Sequence, residues 1–145
     1  MIKTVLLEKD SSELIVCLRL IFNEWGKGSF EDKLERLKQK AGNDKCYAIY
    51  DDDTIVATFV VCENDIPNRK DLNPNLACVC VDERFRGKGY GSVVLTESKK
   101  VFKDLGVSRA YLKTTLKNFY EKVGWVYMES FISDEGEEKI YFLDL

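Results

Sequence analysis

The sequence predicts an α+β (mixed α/β) fold, a mixed and mostly antiparallel sheet of about seven strands flanked by about four helices. Three features of the chain predict it. Short runs of β-branched and aromatic residues recur near both ends and in the middle. Two segments of helical period stand early. One strand–turn–helix–strand unit lies between two groups of antiparallel strands. At 145 residues the chain is long enough to bury one core, and residues 1–145 are expected to form a single domain.

Ile2 to Leu7 is rich in β-formers and opens the fold as a strand. Asp10 and Glu13 have capping-box spacing, and Leu14, Cys17, Leu18, Ile21, Phe22 and Trp25 then follow on one helical face, with Gly26 as the stop. Ser29 caps a second helix whose apolar face is Phe30, Leu34, Leu37 and Ala41, closed by Gly42. Cys46 to Tyr50 and Thr54 to Cys62 read as an antiparallel hairpin around Asp51-Asp52-Asp53. Glu63 to Pro74 is the one long irregular connection. Asn75 to Val81 is a nearly unbroken apolar run, so both its faces are expected to be covered. A third helix runs from about Gly91 to Leu105 and stops at Gly106. Arg109 to Thr115 is a strand, and Asn118 to Val123 a short helix with Asn118 and Glu121 at capping-box spacing. Trp125 to Ile132 and Lys139 to Leu143 are the last two strands, around Ser133-Asp134-Glu135-Gly136.

Composition excludes several classes of function. The net charge is -3, and no concentrated basic face is evident for nucleic acid, since Lys99, Lys100 and Lys103 alternate with Glu97 and Asp104. The chain starts at once on a strand, without a signal peptide, and no apolar run approaches the roughly 20 residues a membrane helix needs. Histidine is absent. That rules out Ser-His-Asp and Cys-His mechanisms and removes the commonest metal ligand, so no metal site is expected. The five cysteines (Cys17, Cys46, Cys62, Cys78 and Cys80) form no C-x-x-C pair and sit in apolar runs. They read as core thiols in a reducing, cytoplasmic compartment, with Cys78 and Cys80 on one face of a strand.

The densest chemical signal is Arg84-Phe85-Arg86-Gly87-Lys88-Gly89-Tyr90-Gly91, placed between a buried strand and a helix. Alternating glycines let the backbone curl with its N–H groups inward, and with the positive end of the next helix they form a phosphate or pyrophosphate cradle. Arg84, Arg86 and Lys88 add positive charge, and a bare tight turn would need one glycine. Two nucleotide motifs fail on named residues. A Walker loop requires Ser or Thr where Gly89 follows Lys88. A dinucleotide fingerprint has G-x-G-x-x-G and a carboxylate about 20 residues on, where Tyr111-Leu112-Lys113 offers none.

The pattern Q/R-x-x-G-x-G/A does fit at Arg86 to Gly91. Val81 to Gly91 thereby resembles, residue for residue, the V-x-x-x-x-R-G-x-G-x-G signature of the GNAT superfamily of N-acetyltransferases. Asn118-Phe119-Tyr120-Glu121-Lys122-Val123-Gly124-Trp125 is similar to that family's late Y-E-K-x-G-F/W element. The order of elements also matches, so the resemblance covers nearly the whole chain.

The resemblance implies acetyl-CoA as co-substrate, with its pyrophosphate at Arg86, Gly87, Lys88, Gly89, Tyr90, Gly91 and Ser92. It implies pantetheine along the backbone of Val79 and Val81, the Val79 amide stabilising the oxyanion, and Asn118 as a secondary CoA contact. It makes Tyr120 the general acid beside the CoA sulfur; the alternative is a packing aromatic next to Phe119 and Trp125. The family's usual Glu at the start of the central strand is replaced by Asn75, which cannot act as a base. Glu24, Glu63, Asp65 and Asp71 are candidates in its place, with Glu24 and Asp65 also expected to attract a cationic acceptor. The expected activity is direct acetyl transfer, in a ternary complex, to a small amine or a peptide N-terminus. The alternative is a non-catalytic acyl-CoA-binding or interaction module of the same fold. A monomer or a homodimer is compatible with the sequence.

Overall fold

All 145 residues are described in a computed structural model of the chain. The strands are β1 (Ile2–Leu6), β2 (Lys45–Asp51), β3 (Thr54–Cys62), β4 (Asn75–Val81), β5 (Arg109–Thr114), β6 (Val126–Ser133) and β7 (Gly136–Asp144). The α-helices are α1 (Ser12–Trp25), α2 (Phe30–Gly42) and α3 (Tyr90–Asp104). The seven strands are ordered β1-β2-β3-β4-β5-β7-β6. β1, β2 and β3 pair antiparallel, β4 and β5 pair parallel at Asn75 and Tyr111, and β5, β7 and β6 are antiparallel again. This is the expected mixed sheet. A parallel step requires a long crossover, and α3 provides it.

The chain packs as two compact units, residues 1–61 with 78–94 and residues 62–77 with 95–145. In the first, α1 buries Leu14, Cys17 and Leu18. Phe22 of α1 meets Phe30 of α2 edge-to-face at 5.5 Å, and Tyr47 stacks on its cross-strand partner Phe59 at 5.0 Å. The hairpin turn is made by Asp52 and Asp53, with Asp52 left-handed at φ 53°. In the second unit, Ile66, Leu72 and Ile140 form a cluster that Tyr111 and Phe131 cover. β7 lies between β5 and β6 and buries Glu138, Ile140, Tyr141 and Leu143, whereas β6 is largely exposed and takes the sheet edge.

Three local expectations are corrected. The α1 N-cap is Ser11, whose hydroxyl accepts the Leu14 N–H at 3.2 Å, and not Asp10. The fourth helix is a single 3-10 turn over Tyr120–Val123. The Asn118–Glu121 capping box does not form: Asn118 is left-handed (φ 60°), and Glu121 instead accepts the Tyr141 hydroxyl at 3.2 Å. Four residues closed by the left-handed Gly124 leave no length for a regular helix.

Candidate active site

The glycine-rich segment is a left-handed turn that delivers the chain into α3. Gly87 and Gly89 have φ of 79° and 87°, conformations an L-residue adopts at a cost, and a Cβ at either would meet no atom within 4 Å. The turn is therefore open on the side where side chains would stand. The first N–H groups of a helix have no partner within it. In α1 and α2 a serine cap and first-turn carboxylates (Glu13; Glu31 and Asp32) answer them. The first turn of α3 has no acidic residue. Together the left-handed turn and the helix dipole fit an anion carrying several acceptor oxygens.

Side chains around the turn are more committed than the sequence suggests. Arg84 spends its charge locally: its backbone N–H and guanidinium both hold Asp82, at 3.0 Å and 2.9 Å. Arg84 also keeps the buried Asp82 carboxyl below its usual range, and that carboxylate, by accepting the Arg84 N–H, caps the single 3-10 turn at Glu83–Phe85. Arg86 bonds the Val81 carbonyl through Nε at 3.1 Å and the Glu24 carboxylate through Nη2 at 2.8 Å. Lys88 lies over the Phe85 ring at 5.9 Å. Tyr90 is oriented by Asp51, to which its hydroxyl donates at 2.5 Å, so its side chain braces α3 on the β2–β3 hairpin and its backbone is what the turn presents. Asp82 and Asp51 were not among the expected site residues. The Asp82-x-Arg84 spacing was their one local signal; Asp51 had none.

β4 departs from a regular strand at Cys78, which is left-handed at φ 51°. A non-glycine residue there is strained, and such outliers concentrate at functional sites. Ahead of it Asn75, Leu76 and Ala77 are buried; after it Val79 and Val81 are only half-covered. The expected two-sided burial therefore holds for the first half of the strand. Cys80 is buried and Cys78 half-buried, which breaks the single face expected for the pair, because a left-handed residue interrupts the alternation of a strand.

In the other unit, Tyr120 is 7% exposed. Its ring meets Phe119 at 4.9 Å, Trp125 at 6.3 Å and Tyr141 at 6.4 Å. Burial pushes its phenol up to about 12, so the hydroxyl is protonated at any physiological pH.

A family model for the GNAT acetyltransferases matches residues 13–125, well over half of the chain and including residues of both units. The chain belongs to the GNAT acetyltransferase family. That membership makes it an acyltransferase. No curated protein matches it. Among solved structures, a spermidine N-acetyltransferase from Vibrio cholerae in complex with CoA and spermine is similar at TM-score 0.74 and 17% identity, over 99% of this chain and 95% of that one. An acetyltransferase from Bacillus subtilis in complex with CoA gives 0.68 and 17%, over 100% and 99%. A GNAT family acetyltransferase from Elizabethkingia anophelis with acetyl-CoA bound gives 0.69 and 13%, over 99% and 98%. At these identities the likeness is one of fold.

The acetyltransferase has no carboxylate at the head of β4, and Asn75 is fully buried there. Its Nδ2 donates to the carbonyls of Glu63 and Leu72, both at 2.9 Å, and so pins the 63–74 connection to β4. Its Oδ1 is buried without a partner. Asn75 is thus a donor clamp between two carbonyl oxygens, and a carboxylate in its place would face both of them. Asn75→Asp is expected to destabilise the acetyltransferase by about 2–4 kcal/mol, from two lost bonds and two stranded carbonyls. The loss should be larger at pH 8 than at pH 5. Burial between acceptors raises an Asp pKa on folding, so the penalty grows as pH climbs above the unfolded value of about 3.9. Urea melts at the two pH values measure it.

Other expected acidic groups of the acetyltransferase are dispersed or engaged. Asp71 pairs with Arg69 at 3.1 Å, and Arg69 also bridges to Glu129. Glu63 is exposed, and Asp65 is half-buried and engaged in an interaction. Glu24 is the one that meets the glycine turn. No group of three or more Cys, Asp or Glu side chains is arranged to hold a metal ion, and no helix is long and apolar enough to cross a membrane.

Proposed function

We propose that this acetyltransferase uses acetyl-CoA to acetylate an amine directly, as a single domain over residues 1–145 working in the cytoplasm. The observation that carries this is the open left-handed turn at Gly87 and Gly89 running into a helix without acidic residues in its first turn. Amides from Gly87 to Ser92 hold the pyrophosphate, with Arg86 and Lys88 adding charge. Asn118, left-handed outside the capping role expected for it, is a secondary contact of the cofactor. The backbone of Val79 and Val81 aligns the pantetheine arm. The strained Cys78 turns the chain just before the Val79 amide, the group proposed to stabilise the oxyanion.

Acetyl-CoA supplies the activated acyl group. The neutral amine nitrogen forms the C–N bond as the C–S bond breaks; Tyr120 hydrogen-bonds the departing sulfur and passes it a proton, and the proton that the nitrogen sheds on becoming an amide goes to solvent, from which the phenol is reprotonated. A phenol at about 12 is too weak an acid to protonate freely a thiolate whose thiol has a pKa of about 8.5. Its first contribution is therefore a hydrogen bond that strengthens as charge builds on sulfur. Holding donor and acceptor together contributes through proximity, which favours a ternary complex. The amine must arrive deprotonated or lose its proton to solvent or to a carboxylate. The five free thiols suit a reducing compartment. The net charge of -3 suits a cationic acceptor better than a nucleic acid.

Heat stabilisation and turnover test the two halves of this proposal. A ligand that binds only the folded state raises the melting temperature by mass action, and CoA at about 100 times its Kd adds about 2.7 kcal/mol. CoA and acetyl-CoA are expected to raise it while NAD and ATP do not. Acetyl-CoA consumption with a panel of small amines and peptide N-termini should then give turnover. CoA binding without turnover on any amine would favour the non-catalytic acyl-CoA module instead.

A further inference from the structure

We infer that Glu24 reads the positive charge of the acceptor amine, and that Arg86 leaves it more available for this when a pyrophosphate occupies the turn. The inference rests on the proposed use of the turn and adds the acceptor's chemistry and its coupling to the cofactor. Glu24 stands in the last turn of α1, beside a cleft of about 630 Å³ whose wall includes Ile15, Val16, Leu20, Phe30 and Val81. That volume suits a small molecule with an apolar body.

Three guanidiniums line the same cleft, each paired with a carboxylate: Arg19 with Glu31, Arg84 with Asp82, and Arg86 with Glu24. Arg84 and Asp82 are two residues apart and locked by several bonds, with the Asp82 side chain 8% exposed. Arg19 and Glu31 belong to α1 and to the start of α2. The Arg86–Glu24 pair is the one of the three that includes a residue of the glycine turn, and it joins groups 62 positions apart.

Both partners are half exposed, 50% for Arg86 and 40% for Glu24, so the bond between them is weak. A pyrophosphate offers more charge and the bidentate geometry that a guanidinium prefers, and it outcompetes a single carboxylate for Arg86. Glu24 is then left at the cleft without its counter-charge, alongside Glu83, the fourth carboxylate of the lining. An ammonium with an apolar body satisfies both parts of the cleft. Linkage makes the effect reciprocal: CoA tightens the amine, and the amine tightens CoA by the same factor. An exposed pair limits that factor to about five-fold, or about 1 kcal/mol.

The test uses desulfo-CoA, which cannot be acetylated, with phenethylamine as the cationic probe and 2-phenylethanol as its neutral counterpart, by calorimetry on the full chain. Phenethylamine should bind about three- to five-fold tighter when desulfo-CoA is present, and 2-phenylethanol should show no such gain. In Glu24→Gln the gain should fall to about one, with desulfo-CoA bound as tightly as before or up to about five-fold tighter, because Arg86 no longer has a competitor. Glu24→Asp, which keeps the charge, should retain part of the gain. Melting temperatures confirm that the variants are folded. An undiminished gain in Glu24→Gln, or weaker desulfo-CoA binding by that variant, overturns the inference, as does failure of phenethylamine to bind the parent. Desulfo-CoA binding without any gain sinks the coupling alone. No desulfo-CoA binding at all removes the use of the turn together with it.

Discussion

Gly89→Asp is expected to lose CoA binding by at least about 100-fold while the protein stays folded, because a like charge some 4 Å from a pyrophosphate oxygen costs about 4 kcal/mol at an effective dielectric of 20. The backbone at this position accounts for the retained fold. Gly89 is left-handed at φ 87° with open space where a Cβ would stand, so the first atom of a new side chain meets nothing. The conformation itself costs about 1–2 kcal/mol for an L-residue, and Asp is among the residues that tolerate it best. In a chain of this size that lowers the melting temperature by only about 2–8 °C. Gly89→Ala carries the same strain without the charge. It should lose far less affinity than the aspartate, and calorimetric titration of both variants with CoA separates strain from charge. Equal affinities in the aspartate variant and the parent would remove the turn from the cofactor site.

Tyr120 carries the second large effect, and here two roles predict opposite patterns. If the hydroxyl assists the leaving sulfur, Tyr120→Phe should cut turnover by about 10²-fold or more with acetyl-CoA affinity nearly unchanged. If the ring is merely part of the Phe119, Trp125 and Tyr141 cluster, the Phe variant should be nearly silent. Tyr120→Ala removes most of a buried aromatic and should destabilise by about 3–5 kcal/mol in either case. A control follows from the raised phenol. With its pKa at about 12, the parent's rate should show no loss between pH 7 and pH 10 that traces to Tyr120. Turnover of the Phe variant is decisive: full activity would rule out the acid role. Packing and chemistry need not exclude each other, since a ring held by three aromatic neighbours keeps its hydroxyl in one place.

Signals carried by consecutive residues were enough to place most elements. The apolar stripe Leu14-Cys17-Leu18 in α1, the continuous run Asn75–Val81 in β4 and the alternating glycines 87, 89 and 91 each act through their own backbone or through neighbours a turn away. The fold class and the left-handed glycine turn were legible for that reason. Two departures are also local: the cap falls on Ser11 because its hydroxyl, and not the Asp10 carboxylate, reaches the Leu14 N–H, and four residues before Gly124 are too few for a helix.

Contacts between residues far apart in the chain were not legible, and they decided the electrostatics of the site. The positive charge of Arg86 is shared with Glu24, 62 positions away, and the Tyr90 hydroxyl is turned toward Asp51, 39 positions away. In sequence Asn75 shows only the absence of a carboxylate; in the fold its amide ties down the 63–74 connection through the carbonyls of Glu63 and Leu72. The left-handed backbone at Cys78 has no glycine to announce it. Sequence alone determined which backbone could bend and which faces were apolar, because those are properties of neighbours. Which charges remained available was settled by tertiary structure, because a carboxylate and a guanidinium pair according to distance in space, and that distance is set only when α1, β4 and the turn have folded.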